Sequence, residues 1–195
     1  MNISDLLTEI KACKLCESEL ELGANPVIQA DEDAKILIIG QAPGVKVHRT
    51  SIPWNDPSGD RLRGWLNIDK NCFYDPKNIA IMPMGFCYPG KGKNGDLPPR
   101  KECAPLWHRS VLSLLPKIEL TLLIGQYSQH YYLPDKPKTL TETVHQWHRW
   151  SPSVMPLPHP SPRNTLWLRK NPWFEEDIVK HLAEKVEKIL SRKEY

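Results

Sequence analysis

No apolar run in this sequence approaches the roughly 20 residues that a membrane-spanning helix requires. Residues 1–16 mix charged and apolar side chains and show no secretory hydrophobic core, so a cytoplasmic protein is expected. No strand-like segment is followed by a P-loop or by G-x-G-x-x-G, which argues against a nucleotide-binding protein acting on free small molecules. No histidines stand at H-E-x-x-H spacing, and there is neither an internal repeat nor a low-complexity linker. The net charge of +3 names no partner by itself. A chain of 195 residues suffices for one domain with a full core, and one monomeric domain is expected.

Proline and tryptophan, by contrast, are plentiful, at 19 and 7 residues. Prolines gather at 83–105 and 152–162 among apolar residues, the pattern of long ordered loops. Lys46, Arg49, Arg61, Arg63, Lys91, Lys93, Arg100, Lys101, Arg163, Arg169 and Lys170 fall near the candidate motif segments. They read either as a basic rim for a polyanion or as scattered solubilising charge.

Apolar runs predict buried strands at Lys35–Ile39, Asn78–Met82, Glu119–Ile124 and Val154–Leu157, the last at an edge because of Pro156. Predicted helices cover Leu6–Lys14 (capped by Ser4 or Asp5), Ser58–Leu66 (capped by Ser58), 101–115, Gln126–Leu133, Thr139–Trp150 with a capping box, and a long one to Ser191 opened by Asn171-Pro172. Strands alternating with helices give an α/β fold: a three-layer αβα sandwich around a four-stranded parallel sheet.

Two stiff loops leave strand ends, Gly40-Gln41-Ala42-Pro43-Gly44 and Pro158-His159-Pro160-Ser161-Pro162-Arg163-Asn164. The crevice at such ends is where open α/β sheets bind ligands. Five cysteines are present, and Cys13, Cys16, Cys87 and Cys103 could hold zinc or an iron–sulfur cluster or be ordinary buried thiols. Spacing alone does not choose among these.

Together these segments resemble the uracil-DNA glycosylase superfamily, and most closely its iron–sulfur-bearing bacterial families four and five. The order of Cys13, Cys16, Cys87 and Cys103 is similar to that of the cluster ligands there. The resemblance implies a structural [4Fe-4S] cluster that ties the N-terminal segment to a loop beside DNA. Residues 40–44 resemble the first glycosylase motif, and residues 49–59 resemble the family-five pattern of an aromatic after proline and an aspartate three residues before glycine. Trp54 then falls on the aromatic that stacks on an extruded base. Asp56 falls on the aspartate that positions water. Residues 159–164 resemble the second motif. Ala42 stands where classical members have aspartate, and Gln41 where family four has glutamate. Pro83 stands where families four and five carry the asparagine that reads the base edge.

The resemblance implies a monofunctional glycosylase that removes uracil, and other deaminated bases, from DNA during base excision repair. His159 and Asp56 are the implied catalytic pair. The implied base-binding residues are Gln41, Ala42, Trp54, His48 and Asn55, and the DNA-binding residues are Ser161, Arg163 and Asn164, with Arg163 as a wedge. The alternative within the superfamily is a protein that grips damaged DNA without turnover, or traps it covalently through a histidine in the loop after the second strand. Residues 83–101 hold no histidine.

Overall fold

The computed structural model describes residues 2–192. It opens with helix α1 (Ile3–Lys11). The cap is Asn2, not Ser4 or Asp5: the Asn2 side chain accepts the Asp5 amide hydrogen, and the Asp5 carboxylate accepts that of Asn2. Strand β1 (Ile36–Ile39) follows, then α2 (Val45–Thr50), α3 (Pro57–Leu66), α4 (Lys70–Tyr74) and strand β2 (Ile79–Ile81). The loop expected after β2 contains a small antiparallel hairpin, β3 (Lys91–Gly92) and β4 (Gly95–Asp96), turned by Lys93-Asn94. A π-helical turn at Ala104–His108 runs into α5 (Arg109–Ser113), and β5 (Leu120–Ile124), α6 (Gln126–Tyr132) and α7 (Leu140–His145) come next. Strand β6 (Val154–Leu157) precedes α8 (Thr165–Lys170), a second π-helical segment at Phe174–Val179 and α9 (Lys180–Ser191).

The sheet order is β2-β1-β5-β6, all parallel, so β6 is an edge as Pro156 requires. β1 sits in the middle, and all of its residues are buried. Its alternation sorts the core into two layers. Ile36 and Ile38 pack with Leu62, Trp65, Phe174 and Leu182 from α3 and the C-terminal helices. Leu37 and Ile39 pack with Leu6, Ile10, Val111 and Leu115 from α1 and around α5. Each such side chain contributes about 1.5–3 kcal/mol on burial. The molecule is therefore the expected αβα sandwich.

Helix boundaries moved where side chains took other partners. The 139–150 helix divides into α7 and a 3-10 turn at Trp147–Trp150. Asn171 does not cap the C-terminal helix with its side chain: its Oδ1 accepts from the Trp173 indole, and its amide donates to the Trp167 carbonyl. No helix among the described residues is long and apolar enough to cross a membrane.

Candidate active site

The loops after β1, β2, β5 and β6 leave the same end of the sheet and enclose a cleft of about 500 Å³. Gln41, Ala42, Trp54, Asp56, His159, Ser161, Arg163 and Asn164 all line it. His48 and Asn55, expected at the base, do not. His48 lies in the last turn of α2 with its ring 6.1 Å from that of Tyr88. The Asn55 amide instead reaches Thr50 Oγ1 at 3.4 Å.

The first turn of α3 organises one wall. Asp56, rather than Ser58, is the helix cap: its Oδ1 accepts the Gly59 amide hydrogen at 2.8 Å, and Pro57 occupies the first helical position. One carboxylate oxygen is thereby fixed by the helix, and Asp56 lines the cleft. Two residues earlier, Trp54 has φ 54°, a left-handed conformation that costs a bulky residue of order 1–3 kcal/mol. It is held there from several sides. The buried Arg63 donates to the Trp54 carbonyl at 3.3 Å and to Asp60 at 2.7 Å. A Cβ on Gly59 would lie 1.7 Å from the Trp54 carbonyl oxygen, and one on Gly40 would lie 2.8 Å from the indole, so both approaches need glycine. Arg63, expected on a basic rim, is thus an internal brace. Its guanidinium stands 5.0 Å from the centre of the Phe73 ring.

His159 forms the facing wall, its ring centroid 5.6 Å from the Trp54 indole at a 33° tilt. Its Nδ1 accepts the Ser161 amide hydrogen at 3.1 Å. In the neutral ring the proton must therefore sit on Nε2. Burial lowers the His159 pKa below 6.5, against the opposing pull of Asp56 and Asp96. The loop is braced around it: Asn164 donates to the His159 carbonyl at 2.7 Å, and Arg61 donates to the Ser161 carbonyl at 3.0 Å. Arg163 leans on the hairpin, its Nη1 donating to the Asn94 carbonyl at 3.2 Å.

The sequence reading missed this hairpin and its Asp96. Asp96 lines the cleft, and the Tyr88 hydroxyl donates to its Oδ1 at 3.4 Å. The available signal was Gly92-Lys93-Asn94-Gly95, whose two middle residues form the turn. Below the cleft, the buried His108 donates from Nε2 to the Pro83 carbonyl at 3.0 Å and accepts from the Tyr132 hydroxyl at 2.6 Å through Nδ1. It stacks between Phe86 and Tyr132. Pro83 itself lines the cleft.

Cys13, Cys16, Cys87 and Cys103 are free thiols. They are neighbours in space: burial pushes the Cys87 thiol up to about 11, and Cys103, Cys13 and Cys16 each add to the rise. Amide hydrogens of Asn25 and Phe86 point at the sulfurs of Cys87 and Cys103, and the Arg100 guanidinium at that of Cys16. Among the described residues, no three His, Cys, Asp or Glu side chains form a group fit for a single metal ion. Four thiols from three segments, with N–H donors aimed at three of them, are the donor chemistry that a larger thiolate-held group requires.

Such a cleft, with a half-buried histidine presenting one N–H, a carboxylate and an aromatic plate, can hold a flat polar ring and stabilise charge developing on it. A family model described as the uracil DNA glycosylase superfamily matches residues 27–183. That span contains every residue lining the cleft, so the chain belongs to the uracil DNA glycosylase superfamily.

Proposed function

We propose that this protein is a monofunctional DNA glycosylase that hydrolyses the N-glycosidic bond of uracil, and of related deaminated bases, leaving an abasic site. The observation that carries this reading is that His159 and Asp56 line one cleft, with the imidazole proton fixed on Nε2 by the Ser161 amide.

Breaking the bond leaves a uracil anion and an oxocarbenium-like sugar. The His159 Nε2–H donates to uracil O2 as negative charge builds there. A neutral imidazole serves, as its lowered pKa requires. Gln41 and Ala42 line the same space, and their backbone amides are the donors offered to the other carbonyl. The free oxygen of Asp56 orients a water and offsets the cationic sugar. Trp54 stacks on the extruded base, the step that lets an enzyme reach an atom hidden in a duplex. Ser161 and Arg163 line the same cleft and would meet the DNA backbone, while Asn164 spends its amide on the His159 carbonyl and braces the loop. Arg163 enters the vacated stack only by leaving the Asn94 carbonyl.

The cysteine quartet supports a [4Fe-4S] cluster held by Cys13, Cys16, Cys87 and Cys103. When bound, the group would supply a structural tie between the N-terminal segment and the loop carrying the hairpin. Arg100, which spans Glu19 at 2.8 Å and Glu102 at 2.6 Å, braces the same junction.

The test is release of uracil from a labelled oligonucleotide, read as an alkali-labile site. Multiple turnovers are expected, and His159→Ala should lower the rate about a hundredfold, the usual cost of one such donor. Tight binding of uracil-containing DNA without release by the native protein would instead support the non-catalytic alternative.

A further inference from the structure

A second groove, of about 740 Å³, opens beside the cleft, and Gln126 and Tyr127 at the start of α6 line both. Its floor is largely apolar and aromatic, with Met84, Tyr127 and Leu140 among its residues. Tyr131 stands at its side 48% exposed, yet its ring is fixed edge-on against Tyr132 at 4.9 Å. Cations mark the rim. Lys101 and Lys138 are exposed and make no ion pair among the described residues. Among the described residues, Lys136 donates its ammonium to the Pro137 carbonyl alone. Neither the fold nor the chemistry of the cleft needs this arrangement.

An apolar, aromatic floor between cationic edges is the layout of a single-strand path, where bases lie on ring faces and phosphates on lysines. Continuity through Gln126 and Tyr127 says which strand: the one whose nucleotide occupies the cleft. We infer that this groove carries the unpaired nucleotides flanking the target base, so that the protein grips several nucleotides of one strand rather than a single flipped residue. This rests on the glycosylase reading, because the cleft must hold a nucleotide for the strand to continue.

The test uses the full-length protein and two fluorescent single strands with a stable abasic analogue, one of three nucleotides and one of fifteen. Anisotropy titrations are run at several salt concentrations. Tyr131→Ala should weaken the long strand about tenfold, the loss of one stacked base. Lys101→Ala with Lys138→Ala should lower the salt dependence by a slope of about 1.4, roughly 0.7 per lost phosphate contact. Neither variant should alter affinity for the trinucleotide or excision from a short uracil substrate. Equal effects on both lengths, or none on either, overturn the inference. The second outcome would assign the groove to another partner. A native protein that neither excises uracil nor binds either strand fails at the glycosylase reading instead, and native excision keeps the two failures apart.

Discussion

Asp56 does two jobs that substitution can separate. As a helix cap it spends Oδ1 on the Gly59 amide at 2.8 Å. As a carboxylate lining the cleft it supplies negative charge. Asparagine caps as well as aspartate, so Asp56→Asn keeps the first job and loses the second. Its stability should stay within about 0.5 kcal/mol of the native protein, while uracil excision falls at least about tenfold, a loss of roughly 1.4 kcal/mol of barrier stabilisation. Asp56→Ala loses both. The missing cap costs about 1 kcal/mol, or about 2–4 °C of Tm in a chain of this size. The charge also favours the imidazolium form of His159, so either variant should depress the His159 pKa further. Single-turnover excision between pH 4 and 9 and thermal unfolding at pH 7 read both quantities. An asparagine variant with the native rate would remove Asp56 from the chemistry. Equal Tm values for the two variants would refute the capping argument.

Acid stability should report on the buried His108, whose pKa burial lowers from 6.5 to about 4. Between those values the unfolded chain binds the proton and the native one does not, so stability is complete above about pH 6.5 and declines toward pH 4. The loss is about 3 kcal/mol. Urea midpoints measured from pH 7 to pH 4 should fall less steeply in His108→Gln, and an unchanged slope would refute the assignment. Gly59→Ala places a methyl 1.7 Å from the Trp54 carbonyl oxygen and should cost about 3 kcal/mol or more, seen as a Tm drop of about 6–12 °C. Native protein purified without oxygen should carry iron and a thiolate-to-iron absorbance band, and Cys87→Ser should lose both. Stoichiometric zinc, or neither metal, would overturn the cluster.

Most of the sheet was legible because its strands are short and apolar on both faces. The β1 run Ile36–Ile39 admits no other reading once turn residues bound it. The β1 and β6 loops were legible for a different reason: proline and glycine restrict the backbone locally, so the residues themselves say where the chain stiffens. What remained hidden depended on distant partners. Arg63 looks like surface charge until Asp60, Trp54 and Tyr74 surround it. His48 looks like a cleft residue until α2 turns its ring toward Tyr88. Asp96 is one acidic residue in a polar loop, and only the folding of the hairpin across the sheet end brings it within electrostatic reach of His159.

The short stretch from Trp54 to Gly59 bears on how this wall can vary. The indole, the carboxylate and the start of α3 are interlocked by the Gly59 contact and the Arg63 brace. They form one braced unit, and Arg61 of α3 ties it to the facing loop through the Ser161 carbonyl. Lengthening or shortening this segment by one residue would unseat the plate and the acid together. Variation that tunes one of them must then proceed by replacing side chains at constant spacing.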